Sequence, residues 1–167
     1  MLLDHEYLDE LKRANPTLMK YLTAEKLLEL ADLVIQEPKF NDNPERCFKL
    51  PFLACETLST AVPVTENGLF GISAEGKAQY SRPVLLDRIV SFYTMPDPQL
   101  HHNARFLNPT LGGYVNKILT FWLARRPKDL VRYIIKKRDL VQSIFNHLYL
   151  TDCVTDLLVN LCTLQSL

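Results

Sequence analysis

Apolar residues recur along this chain at intervals of three and four, the period of helices buried on one side. Leu3, Tyr7, Leu8 and Leu11 set the pattern. Asn15-Pro16 stops it, because a residue before proline is pushed out of the α region, so the spacing predicts a first helix over about 3–14. Asn15 can cap and Pro16 can open a short second helix carrying Leu18, Met19 and Leu22, since proline there lacks only a hydrogen that would be unpaired anyway. Thr23 caps a third, whose face of Leu27, Ala31, Val34 and Ile35 is widened by Leu28 and Leu30 and ends before Glu37-Pro38. Residues 45–60 read as helical through Phe48, Phe52, Cys55 and Leu58. Pro51 lies inside that stretch, where a proline costs about 3 kcal/mol and kinks or divides a helix, unless it marks a helix start. From about 61 to 82, Pro63, Gly68, Gly71, Gly76 and Pro83 punctuate a segment of little periodicity, which predicts a flexible, dispensable loop. Leu85, Leu86, Ile89, Val90 and Phe92 resume the period until Met95-Pro96-Asp97-Pro98 opens a second irregular stretch.

Beyond it the helices follow one another with almost no linker. Asn108 caps, Pro109 begins, and Leu111, Val115, Ile118, Leu119 and Trp122 form a stripe that Tyr114, Phe121 and Leu123 broaden. Pro127 starts a helix carrying Leu130, Val131, Ile134 and Ile135. Asp139 with Gln142 predicts a capping box for the next, with Leu140, Val141, Ile144, Phe145 and Leu148 inward. Thr151 or Asp152 opens the last, whose face is Val154, Leu157, Leu158, Leu161 and Cys162. Period-two alternation nowhere competes, so the class is all-α. Short turns and multi-sided apolar faces favour stacked antiparallel helices of an α-solenoid, HEAT- or armadillo-like, in one helical-repeat domain over 1–167; a compact bundle is the alternative. No residue-level repeat stands out. The apolar face of the last helix has no polar capping helix after it, so the array is expected to continue.

Composition agrees. A chain of 167 residues with 47% hydrophobic and 23% charged side chains fits an ordinary globular domain. No run approaches the roughly 20 apolar residues of a membrane-spanning helix. Acids near Met1 stand where an export signal would carry positive charge. Cys47, Cys55, Cys153 and Cys162 are widely spaced, without a C-x-x-C pair, and read as reduced core residues. The expected location is the cytoplasm, with the nucleus also open to it.

Candidate chemistry is sparse. His5, His101, His102 and His147 never fall at the spacing of a helical zinc site, and there is no nucleophile elbow or phosphate loop. The reading is therefore of a non-enzyme, with no cofactor and no metal. Charge is the informative feature: residues 1–100 hold 15 acids against 10 bases, and residues 101–167 hold 4 against 9. The cations concentrate in Arg125, Arg126, Lys128, Arg132, Lys136, Lys137 and Arg138, with Lys128, Arg132 and Lys136 four apart on one helical face. Cations at helix ends complement the macrodipole by about 0.3–1 kcal/mol, which is one account of the cluster. A docking surface for an acidic partner is the second. Nucleic acid is the third and fits least, since no aromatics interleave for base stacking. Pro51, Phe52, Cys55 and Glu56 form the other notable group, either a helix start or a kink that shapes a groove.

The stretch Phe48-Lys49-Leu50-Pro51-Phe52-Leu53-Ala54-Cys55-Glu56-Thr57-Leu58 resembles the K-[YL]-P-F-[IL]-A-C-E-[IV]-L signature of the SAPS-domain proteins. Leu107-Asn108-Pro109-Thr110-Leu111, with Lys117 and Leu119, is similar to that family's L-N-P-L-L segment. Ile135-Lys136-Lys137, Asp139, Val141, His147-Leu148 and Thr151 through Leu158 resemble a later run, and Asp9-Glu10-Leu11-Lys12, Asn15 and Leu18 match in order near the start. The resemblance implies part of a regulatory subunit that binds the catalytic subunit of a Sit4-type or protein phosphatase 6-type serine/threonine phosphatase, and directs it to substrates. Further adaptor proteins are possible partners under it. The alternative from the residues alone is a helical-repeat adaptor that takes an acidic protein or nucleic acid on its basic face.

Overall fold

Caps legible in the sequence, Asn15, Thr23 and Asn108, set three helix starts in the computed structural model, which describes residues 2–38, 42–71, 83–94, 108–147 and 152–163. Every described element is a helix, and the all-α class stands, with packed helix–helix contacts consistent with a fragment of an α-solenoid. The chain falls into two compact units, 1–89 and 90–167.

In the first unit, α1 (Leu2–Lys12) ends at Ala14, which takes a left-handed φ of 52°. Asn15 N–H donates to Glu10 O at 3.0 Å and Ala14 N–H to Leu11 O at 2.9 Å, a Schellman closure that satisfies the last carbonyls. Asn15 then caps α2 (Pro16–Tyr21), its side chain accepting from Thr17 N–H at 2.9 Å. Thr23 caps α3 (Ala24–Ile35), which buries Leu27, Ala31, Val34 and Ile35. α4 (Leu50–Leu58) follows a π-helical turn over Glu45–Lys49 and packs on α1 and α3.

Within the expected loop from 61 to 82, residues 63–70 form a helix. α5 (Pro63–Phe70) starts on Pro63 and stops at Gly71, whose φ of 66° is left-handed and whose N–H reaches Asn67 O at 2.8 Å. Thr65 and Leu69, one turn apart, are buried. A methyl group on Gly68 would stand 2.7 Å from Leu27 Cδ1 and 3.2 Å from Leu85 Cδ2, so the glycine lets α5 lie close against both neighbours. Residues 63–70 are therefore packed structure, and residues 72–82 lie outside the described set. α6 (Val84–Val90) carries Arg88, whose Nε donates to Asp32 Oδ1 on α3.

The second unit is built on α7 (Pro109–Arg125). Asn108 Oδ1 accepts from Thr110 and Leu111 N–H at 3.0 and 3.4 Å, as the sequence predicts. Leu111, Val115, Ile118, Leu119, Trp122 and Leu123 are buried, so this helix is covered on more than one side. α8 (Pro127–Ile135) packs on α7, α9 (Arg138–Asn146) on α8, and α10 (Asp152–Thr163) on α7. His147 ends α9 and is buried, its Nε2 donating to the Tyr93 carbonyl at 3.2 Å in a short 3-10 turn, Ser91–Tyr93.

Several sequence expectations change here. The Asp139–Gln142 capping box does not form, because α9 begins at Arg138 with Lys137 at the cap position, and Gln142 donates to Asn146 at 3.0 Å. Cys55 is buried, but Cys47 is half-buried and Cys162 exposed. The irregular stretch at 95–107, with His101 and His102, lies outside the described residues.

An internal correspondence also emerges. α8 and α9 repeat at a spacing of ten residues: Lys128/Arg138, Asp129/Asp139, Leu130/Leu140, Val131/Val141, Ile134/Ile144 and Ile135/Phe145. Burial follows the correspondence, with Leu130, Leu140, Ile134 and Ile144 inside and Ile135 and Phe145 outside.

Candidate partner-binding surface

Two groups of residues were singled out by sequence, and the two are placed in opposite environments. In α4 the proline problem is solved by the backbone. Leu50 N–H bonds back to Glu45 O, five residues away, so the turn before Pro51 is wider than an α turn. That opens the ladder where the ring would otherwise meet the carbonyl four residues back. Pro51, Ala54, Cys55, Thr57 and Leu58 are buried, and Glu56 is half-buried. Thr57 Oγ1 donates to Leu53 O at 2.7 Å and accepts from the Tyr7 hydroxyl at 2.8 Å, tying α1 to α4. Burial holds the Tyr7 phenol above its usual range, against the opposing pull of the Thr57 bond. The expected stripe is only partly inward, for Phe48 and Phe52 are exposed.

The cationic cluster divides by neighbour. Arg126, at the α7–α8 junction, pairs through Nε with Asp129 Oδ2 at 2.7 Å. Lys137 Nζ lies 4.8 Å from the centre of the Tyr133 ring. Arg125, Lys128, Arg132, Lys136 and Arg138 are exposed. Lys128 and Arg132 stand on the side of α8 opposite buried Leu130 and Ile134, and Lys136 is the helical residue just past its end.

The macrodipole explains only part of this set. Arg125 lies in the last turn of α7 and Arg132 in the last turn of α8, where a cation is favoured. Lys128 and Arg138 occupy the first turns of α8 and α9, where a cation is disfavoured by the same effect. Both helix starts therefore carry a positive charge that the dipole opposes, next to an acid, Asp129 or Asp139, that complements the dipole.

Sequence reasoning missed the exposed apolar residues beside these charges. Ile135 and Phe145 were expected inward, yet 65% and 50% of their surfaces are exposed. The signal was the helical angle: each falls on the arc of the cations rather than that of the buried leucines. A separate open groove of about 340 Å³ follows α7 and α10, lined by Asn116, Thr120, Asp156 and Asn160 among others, and none of the predicted residues lines it. No cluster of metal-ligating side chains occurs among the described residues. No described helix is long and apolar enough to cross a membrane.

Comparison with known proteins gives the family context. The chain is 29% identical over 161 residues to serine/threonine-protein phosphatase 6 regulatory subunit 3 of Gallus gallus, covering 96% of this chain and 16% of that protein. It is 30% identical over 161 residues to regulatory subunit 3-B of Xenopus laevis, and 29% identical over 164 residues to regulatory subunit 1 of Homo sapiens. It thus spans about one sixth of the length of the curated relatives it matches. No family model and no solved structure matches. The chain is a relative of the protein phosphatase 6 regulatory subunits, the SAPS-domain family whose motifs it resembles.

Proposed function

We propose that this chain is a non-catalytic regulatory scaffold that binds the catalytic subunit of a phosphatase 6-like serine/threonine phosphatase and directs it to substrates. The observation that carries the reading is the match, over 96% of the chain, to proteins named as regulatory subunits of that phosphatase. In this reading recognition is by surface, and the dephosphorylation chemistry belongs to the partner. The exposed cations Arg125, Lys128, Arg132 and Lys136 supply the contact, in the cytoplasm and, where the phosphatase is nuclear, in the nucleus.

Immobilised full chain incubated with purified phosphatase 6 catalytic subunit tests this directly. Capture that weakens with rising salt, and weakens again in Lys128→Glu/Arg132→Glu, supports the reading, because charge pairs at an interface rim are screened by ions. Absence of capture at low salt would sink the scaffold role. Capture indifferent to both salt and the reversal would move the contact away from the basic face.

The rival adaptor reading draws on the same exposed cations. It predicts retention of an acidic protein or nucleic acid by the chain without the phosphatase present.

A further inference from the structure

We infer that α8 and α9 form a docking face for an acidic polypeptide segment that carries bulky apolar side chains. The inference rests on the scaffold reading and deepens it by stating the chemistry of the segment that meets the exposed cations.

The argument starts from the ten-residue correspondence. Ile135 lies three residues beyond Arg132 and seven beyond Lys128, so the three share one stripe of α8. Phe145 lies seven beyond Arg138 and shares a stripe of α9 with it. Each helix thus presents the same pair, a cation in its first turn and a bulky apolar side chain in its last. The inward positions are already filled, by Leu130 and Ile134 in one helix and by Leu140 and Ile144 in the other. Ile135 and Phe145 are surplus to that packing.

Charge selects the occupant. Lys128, Arg132, Lys136 and Arg138 are exposed, and the nearest carboxylate in sequence to the first of them, Asp129, is engaged by Arg126. An apolar cover without acids would strip water from these cations and leave them unpaired, which is strongly unfavourable. A purely acidic segment would leave Ile135 and Phe145 in water. A segment with both chemistries satisfies both, with apolar anchors inside a charged rim, the usual arrangement at protein interfaces.

The probe is a fluorescein-labelled synthetic peptide of glutamates interrupted by two leucines, compared by fluorescence anisotropy with the same peptide bearing serines instead. The full chain is expected to bind the leucine peptide at least about tenfold more tightly, the scale of one lost anchor. Ile135→Ser/Phe145→Ser should erase that preference while leaving the serine peptide's binding unchanged. Lys128→Glu/Arg132→Glu should weaken both. Circular dichroism checks that each variant keeps its helix content.

Equal binding of the two peptides, or no binding of either, overturns the inference. So does self-association of the wild-type chain in sedimentation equilibrium that Ile135→Ser/Phe145→Ser abolishes, since a second copy would then cover the face. If the leucine preference is missing while phosphatase capture depends on Lys128 and Arg132, the inference falls and the scaffold reading stands. If the preference holds while the phosphatase is never captured, the reverse is true.

Discussion

The helix around Pro51 and the helix pair α8–α9 use their sequences for opposite ends. In α4 the residues of the family-like stretch that lie on one side of the helix are inside: Pro51, Ala54, Cys55 and Leu58 are buried, while Leu50 and Phe52 are exposed. In α8 and α9 the residues that matter to the candidate surface are outside, and the buried leucines and isoleucines beneath them are ordinary. A distinctive motif can therefore be a packing solution, while a surface for partners can be written in common residues whose only signal is their helical angle. The difference makes sharp forecasts, because buried and exposed positions respond to substitution on different scales.

Leu58→Ala should have the largest effect. Leu58 is completely buried, and truncating such a leucine costs about 3 kcal/mol through lost transfer and the cavity left behind. Chemical denaturation should show it, with little change in any partner assay that depends on α8. A loss below about 1 kcal/mol would mean that α4 is not a packed centre of its unit. Leu69→Ala should follow at about 2 kcal/mol, since α5 is short but Leu69 is 1% exposed. That result separates a packed helix from a dispensable loop; an unchanged midpoint would restore the loop.

Tyr7→Phe should cost about 1 kcal/mol, the usual net value of one hydrogen bond, here the one to Thr57. The same variant tests pH dependence. Below the ordinary phenol value of 10.0 the proton is present in both the folded and the unfolded chain, and the full contribution is available. As pH rises past it, the unfolded chain loses its proton first, so stability falls progressively until the pH passes the raised value of the folded state. Wild type should therefore lose stability in alkali more steeply than Tyr7→Phe.

Lys128→Glu/Arg132→Glu should change stability least, by under about 0.5 kcal/mol. The acid at 128 gains from the first turn of α8 and the acid at 132 loses in the last, so the two dipole effects nearly cancel. A large thermal shift from this pair would show that the cations hold the fold rather than face a partner.

What could be read from the sequence was mainly what local chemistry decides. Asn15, Thr23 and Asn108 cap where their side chains reach a free backbone N–H, and Pro16, Pro109 and Pro127 begin helices, because these signals need no tertiary context. The helix at 63–70 was missed because Pro63 and Gly71 were read as breakers, when a proline at the start and a left-handed glycine after the end are boundary marks. Gly68 hid it further, for its role is close approach to Leu27 and Leu85, which no local pattern shows. The pairing of Tyr7 with Thr57 joins residues 50 apart and depends wholly on folding. On the candidate surface, the cations were legible as a cluster, but Arg126 and Lys137 were not separable from the rest without Asp129 and Tyr133 in place. Ile135 and Phe145 were assigned inward because apolar type was weighed above angle, and the correspondence of α8 with α9 escaped because a ten-residue spacing is shorter than the repeats usually sought.

The wide turn over Glu45–Lys49 also constrains how this stretch tolerates length changes. A bond spanning five residues encloses one residue more than an α turn, so the turn behaves as a one-residue insertion carried inside a helix. Removing a residue there would restore α pitch, but it would also close the backbone onto the Pro51 ring and turn everything upstream by about 100° relative to α4, one residue's rotation on a helix. Phe48 would then leave its exposed position. The proline and the extra residue are thus a coupled pair: a deletion within 45–49 should be accepted only together with replacement of Pro51, and the proline should tolerate no shift of one position along the chain.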